Sequence, residues 1–306
     1  MSEVTVIVPS YRGKELLRKC LPAILRSMPA EAEIAVVDDA STDGSLQMLR
    51  EGFPQVRVIA REKNGGFSAA ANDGIRATKG DFVLLLNNDV EVTPGFLPPI
   101  MTLFEDESVF AVSPRILLPS RGNMDEAAKT GFWHHGMFYM DQRQGVADVT
   151  PILYATGAAA VYRRSMLQSL GGFDEAYSPF YWEDADLGYR AWKRGWKTLY
   201  QPASLVHHAL SESISKMPSA LTRKVKARNG FFFLWRNIED GGLVTAHRRW
   251  LPAVLARRAL ARDFAFLAGW LEAFARRREA VSARDRDSAF RQVSDRDIFG
   301  LLGIGC

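Results

Sequence analysis

Two pairs of adjacent carboxylates and an Asn-Asn-Asp triplet are the residues of this chain whose types and spacing could do chemistry. Asp38 and Asp39 end a β-branched run in V-V-D-D-A-S-T-D-G-S at 36–45. A carboxylate there accepts from the imide N–H of uracil or thymine, for which Asp39 is the candidate, or from a ribose hydroxyl. Ser41, Thr42 and Asp43 equally suit the start of a helix, a purely structural use. Asn87, Asn88 and Asp89 close the apolar run in L-L-L-N-N-D-V-E-V at 84–92. Hard oxygen donors at that point favour Mg2+ or Mn2+, which bridges a diphosphate and offsets its charge; Asp89 leads, with Asn87 beside it. A plain turn would use the same residues.

The longest constellation is G-G-F-D-E-A-Y-S-P-F-Y-W-E-D-A-D-L-G-Y-R-A-W-K-R-G-W at 171–196. Glu183 and Asp184 fall at the start of a helical pattern, where the helix dipole favours ionised carboxylates, and Phe180, Tyr181 and Trp182 could shield a sugar-sized pocket. Asp184 is the candidate to deprotonate an acceptor hydroxyl, with Glu183 orienting the acceptor. Asp186 pairs more naturally with Arg190 four residues on. V-H-H at 206–208 offers an imidazole for a metal or a diphosphate, and His207 is preferred over His208. His134 and His135 are surface or acceptor-site residues at most. N-G-G at 64–66 precedes a helix of small residues; Asn64 and Gly65 would let backbone approach a ligand, although a structural turn reads the same way.

These groups need a scaffold that gathers them. Strand-like runs at 4–8, 33–37, 56–60 and 82–86 alternate with helical patterns starting near residues 16, 44 and 67. Buried strands separated by crossover helices predict an α/β fold with a mostly parallel, doubly wound sheet, whose ligands lie beyond the carboxyl ends of the strands. A helix over 94–106, strands at 110–117, 158–163 and 198–206, and a helix at 183–194 follow. Residues 119–151 show no steady periodicity and read as an insertion over the site. From residue 216 onward the pattern is helical.

P-S-Y-R at 9–12, D-D-A-S-T-D-G-S, N-G-G-F-S-A-A-A-N-D-G-I, L-N-N-D-V and G-G-F-D-E…W-E-D-A-D-L occur in one order. Together they resemble the family 2 glycosyltransferases of the GT-A fold, and within them the bacterial rhamnosyltransferase-like branch that builds cell-surface polysaccharides. The resemblance spans roughly residues 4–215. It implies a catalytic domain over 1–215, with a nucleotide-binding half at about 1–92 and an acceptor half at about 93–215, then a basic helical extension at 216–306. It implies Pro9, Tyr11, Asp38 and Asp39 near the nucleoside, with Asn64, Gly65 and Asn88 on the nucleotide, and Gly157, Ala158 and Trp182 at the sugars. Asp89 matches the metal-binding acid of the family's D-x-D motif, although Asn87 stands where many members have the first Asp. Asp184 matches the general base, which implies one-step transfer with inversion from a dTDP- or UDP-sugar to a glycan or polyprenyl-linked acceptor. A sugar nucleotidyltransferase would carry a Gly-rich basic loop after the first strand, which P-S-Y-R-G-K-E is not; a non-catalytic scaffold would not need Asp89 and Asp184.

Charge divides the chain. The first 215 residues hold 21 Lys+Arg against 26 Asp+Glu, and the remainder 18 against 9. The acidic part speaks against nucleic acid, and the basic part favours anionic partners such as membrane lipid. In the tail Leu251, Leu255, Phe264, Leu267, Leu271 and Phe274 recur at helical spacing among arginines. Such a face suits the membrane interface, the catalytic domain or a second copy of the chain. Only Cys20 and Cys306 are present and no signal-peptide pattern opens the chain, so a cytoplasmic setting is expected, peripheral on the membrane at most.

Overall fold

The computed structural model describes residues 3–209 and 218–305. Alternating strands and helices open the chain: β1 (Val4–Ser10), α1 (Lys14–Ser27), β2 (Glu33–Asp38), α2 (Ser45–Gly52), β3 (Arg57–Ala60), α3 (Phe67–Ala77) and β4 (Phe82–Leu86). Strands β1, β2 and β4 are almost wholly buried, because helices cover both faces of the sheet. β3, β2, β1 and β4 run parallel in that order. Small residues on α3 allow close helix–sheet approach: a Cβ on Gly74 would come within 2.5 Å of Ile7.

Beyond β4 the sheet becomes mixed. A short β5 (Val90–Val92), α4 (Leu97–Leu103) and β6 (Val109–Leu118) come next. Further along, β11 (Ala159–Arg163) lies antiparallel between β4 and β6, followed by α5 (Arg164–Ser169) and α6 (Glu183–Lys193). β12 (Lys197–His208) pairs parallel with β6 and antiparallel with β5. The sheet is mixed, within the mostly parallel expectation; which strands run antiparallel was not readable, since period-two patterning does not encode strand direction.

The segment read as an aperiodic insertion contains β7 (Met124–Asp125), β8 (Lys129–His134), β9 (Met137–Gln142) and β10 (Thr150–Pro151). β8 and β9 form a hairpin whose residues face one another from Lys129↔Gln142 to His134↔Met137. Burial alternates along β8, with Gly131 and Trp133 buried and Phe132 and His134 exposed, because the hairpin packs on one side, where Phe138 stacks on Phe233; an aromatic pair on the other side, Phe132 on Tyr139, hides that period in the sequence.

The C-terminal helices are α7 (Ser219–Asn237), α8 (Gly241–Leu260), α9 (Phe264–Ala275), α10 (Arg277–Asp287) and α11 (Asp295–Leu302). The 215/216 boundary expected from the sequence lies outside the described residues, as does Cys306. These helices pack directly on the sheet part. Phe231, Phe232 and Phe233 share a buried cluster with Trp182, Tyr189 and Trp133, so much of the apolar tail is core.

Candidate functional site

The first wall forms where β1 and β2 end. Asp38 is fully buried; one oxygen accepts from the Ser41 N–H at 3.0 Å, and the other has no hydrogen-bond partner among the described residues. Asp39 accepts from the N–H groups of Gly65 (3.0 Å) and Gly66 (2.9 Å) and pairs with Arg61, whose Nε reaches Asp73 at 2.6 Å. Asp39 thus ties the glycine loop to the sheet, and an incoming base N–H would share oxygens already engaged. Gly66 has φ +83°, and a Cβ there would lie 3.1 Å from the Pro179 carbonyl oxygen, so glycine is required. Pro9 is buried in β1 beside Val37, whereas Tyr11 is exposed with Arg12 stacked on its ring, and Asn64 is exposed. The Asn88 amide donates to Ser10 Oγ at 2.9 Å, joining the β4 loop to the β1 loop.

Behind this wall lies Asp89. The His208 Nε2 sits 3.1 Å from its carboxylate, and His208 Nδ1 meets Glu126 on the opposite side of the ring. Burial opposes protonation of His208, but hydrogen bonds to the two carboxylates outweigh it and raise the pKa to about 9. Of the two histidines, it is His208, and not the preferred His207, that lies beside Asp89. His207 is only half-buried, opposite Glu91 on β5, and successive strand residues point to opposite faces. Asn87 contributes backbone: its N–H donates to the Ala158 carbonyl at 2.9 Å.

Gly157 and Ala158 therefore link Asp89's loop to the third element, the start of α6. The Gly157 N–H donates to Asp184 Oδ2 at 3.3 Å and the Ala185 N–H to Oδ1 at 2.8 Å. Asp184 keeps partial solvent access, while Glu183 beside it is buried with an oxygen that has no partner among the described residues. Burial, then the Asp184 charge, pushes Glu183 up to about 8; burial also raises Asp184, against the pull of its two backbone N–H groups and of Lys129. Asp186 is fully buried and pairs with Arg190 at 2.7 Å, as the spacing predicts.

Trp182, expected beside a sugar, is buried instead, its ring 5.1 Å from that of Phe233. Both Tyr181 (φ +69°) and Trp182 (φ +79°) adopt left-handed backbone, which is strained for aromatic residues. α7 holds that loop. The Asn229 amide lies within 2.7–3.0 Å of the carbonyls of Tyr177, Phe180 and Tyr181, and Arg228 reaches those of Tyr177 and Ser178. Ser178 Oγ donates back to Gly65 at 3.3 Å, closing a circuit from Asp39 through the glycine loop to Asp184.

Motif reading missed Arg61, Glu126, Lys129, Arg228 and Asn229. None belongs to a motif singled out in the sequence, and each acts on a residue distant in sequence. Lys129 Nζ donates to Gln142 at 3.1 Å; burial lowers its pKa against the opposing pull of Glu126 and Asp184. His134 and His135 line a separate surface cleft of about 410 Å3 with Tyr139, Trp250 and Arg257.

With that geometry in place, the comparisons decide the family. The model described as Glycosyl transferase family 2 matches residues 5–171. The chain belongs to this family. An N-acetylglucosaminyl-diphospho-decaprenol L-rhamnosyltransferase of Mycobacterium tuberculosis is 26% identical over 243 residues, covering 70% of this chain and 78% of the relative. A pre-mycofactocin glycosyltransferase from the same organism is 30% identical over 211 residues, 67% of this chain and 42% of that protein. Among solved structures, S. aureus TarS residues 1–349 in complex with UDP-GlcNAc superimposes with TM-score 0.62 at 17% identity, covering 94% of this chain and 84% of that one. A mannosyltransferase from Pyrobaculum calidifontis in complex with GDP-Man and Mn2+ gives 0.58 at 21% identity, covering 94% and 86%. GalNAc-T7 with UDP, GalNAc and Mn2+ gives 0.65 at 18% identity, covering 79% of this chain and about half (49%) of its own. This family 2 glycosyltransferase has the GT-A fold, with its helices concentrated in the C-terminal part.

Proposed function

We propose that this glycosyltransferase is inverting and moves a sugar from a nucleoside-diphosphate donor to a hydroxyl of a glycan or lipid-linked acceptor in cell-surface polysaccharide synthesis. The observation that carries this reading is the pair Glu183–Asp184. Two adjacent carboxylates, Glu183 buried and Asp184 partly so, favour holding one proton between them. Asp184, with two backbone N–H donors and Lys129 nearby, is the better anion; Glu183, with an unpartnered oxygen, is the better acid. Asp184 therefore takes the proton of the acceptor hydroxyl as its oxygen bonds to the anomeric carbon and the bond to the diphosphate breaks on the opposite face.

The donor set beyond β4 fits a hard divalent cation. Among the described residues no cluster of three or more His, Cys, Asp or Glu is disposed to hold a metal. Mg2+ and Mn2+ nevertheless bind through one or two protein ligands completed by substrate phosphates and water. Asp89 and His208 would supply those two ligands, and the cation would offset the charge of the leaving diphosphate. The Mn2+ in two of the superimposed structures supports this assignment. Asp38 and Asp39, with Tyr11 on the rim, are the groups proposed to meet the nucleoside. The rhamnosyltransferase relative, whose name includes a diphospho-decaprenol acceptor, favours a polyprenyl-linked substrate reached at a membrane surface.

A panel of dTDP- and UDP-sugars with Mn2+ or Mg2+, followed by thermal unfolding, identifies the donor, because a ligand of the native state raises its melting temperature. With that donor, Asp184→Asn should leave binding within a few-fold of wild type and abolish release of nucleoside diphosphate in the presence of acceptor. Near-normal turnover in that variant would remove Asp184 from the role.

A further inference from the structure

We propose that Glu126 is a positioning residue for the cation site: its carboxylate holds the His208 imidazole so that Nε2 stays turned toward Asp89. The inference rests on reading Asp89 and His208 as the cation's protein ligands. An imidazole has two nitrogens in fixed opposition, so the bond made by one decides where the other aims. In His208 the division is complete, with Nδ1 against Glu126 and Nε2 3.1 Å from Asp89. Glu126 contacts the ring on the side away from Asp89, where it orients the ligand without being a third one.

A residue used for positioning must itself be fixed, and the turn carrying Glu126 is braced from several directions. The Glu126 N–H donates to the Ile116 carbonyl at 3.0 Å. Its neighbour Asp125 accepts from the Ile116 N–H (3.3 Å) and the Ala127 N–H (2.9 Å), and from the hydroxyl of buried Tyr200. The Gln144 amide donates to the Asp125 carbonyl at 2.7 Å and accepts from the Asp125 N–H at 3.3 Å. Apart from Ala127, which lies in the turn itself, these partners anchor the turn to β6, β12 or the segment after β9. Glu126 thus arrives at His208 from 82 residues away on a frame that does not depend on the imidazole.

Calorimetric titration of Mn2+ into the full chain saturated with UDP or dTDP, whichever stabilises it more, tests the assignment. Glu126→Met removes the acceptor while keeping volume, Glu126→Gln keeps an acceptor for Nδ1–H, and His208→Ala serves as reference. Glu126→Met is expected to weaken Mn2+ binding about 10- to 100-fold, the range typical of lost carboxylate–histidine support. Glu126→Gln should recover most of that loss. Wild-type Mn2+ affinity in Glu126→Met, with binding lost in His208→Ala, would overturn the positioning role and leave the cation reading intact. Wild-type affinity in His208→Ala would overturn the cation reading itself. A second measurement needs no variant at Glu126: in the 15N-histidine spectrum of the Mg2+–nucleotide complex, His208 should carry its proton on Nδ1. The opposite tautomer would refute the proposal.

Discussion

Asp184 and Glu183 are neighbours in sequence but not in environment, and the difference is measurable. Glu183 has its folded pKa raised to about 8 from an ordinary 4.5. Below about pH 4.5 it is protonated in folded and unfolded chains alike. Between 4.5 and 8 the unfolded chain releases that proton while the folded one retains it, so stability falls as pH rises. The full penalty, on the order of a few kcal/mol, is reached above pH 8. Glu183→Gln should flatten the fall and raise the melting temperature at pH 8; an unchanged slope between pH 5 and 8 in thermal unfolding would contradict this origin. The candidate carboxylates were legible because Asp38, Asp39 and Asp89 close apolar strand runs and Asp184 opens a helical one. Choosing between His207 and His208 needed the strand's orientation, which one residue of register reverses.

At the level of elements, the loop that delivers α6 holds two aromatic residues in left-handed backbone, and such strain persists only where the surroundings impose it. α7 is the restraint. Asn229 is fully buried and spends its amide on three loop carbonyls. Asn229→Ala should cost about 1–3 kcal/mol, the penalty for leaving buried carbonyls without donors. It should also lower turnover more than donor affinity, since the loop presents Asp184 and not the nucleotide-binding wall. Denaturant unfolding and steady-state kinetics check both parts, and wild-type stability would show that the loop holds itself. Nothing in K-A-R-N-G marks it as a clamp, because its partners are main-chain carbonyls 48–52 residues earlier, and carbonyls leave no trace in side-chain patterns.

Across the whole molecule, the apolar residues of the basic tail divide between buried and exposed positions. Phe231, Phe232, Phe233 and Leu243 are buried against the sheet part, whereas Leu260, Phe264, Leu271 and Phe274 stay exposed. Arg248, Arg249 and Arg257 on α8, Arg262 in the turn after it, and Arg277 and Arg278 at the start of α10 are exposed. Among the described residues no helix is long and apolar enough to cross a membrane. The membrane-surface reading proposed above predicts that these exposed arginines and apolar side chains bind anionic lipid. The chain should float with phosphatidylglycerol vesicles at low salt and lose most of that binding in 0.5 M salt, roughly as screening over a few ångströms requires. Phe264→Ser with Leu271→Ser should weaken flotation at low salt without changing the melting temperature; absence of flotation at low salt would remove the membrane from the reading.

By itself the sequence determined the order of the first strands and helices, the chemical kind of each candidate group and the charge division, because periodicity, turn residues and composition act locally. Only the tertiary structure decided that β11 runs against its neighbours, that an aperiodic stretch brings Glu126 and Lys129 inward, and that α7 holds the loop before α6. Those outcomes depend on contacts between residues dozens of positions apart, whose partners are set by packing and backbone hydrogen bonding and so carry no local signature.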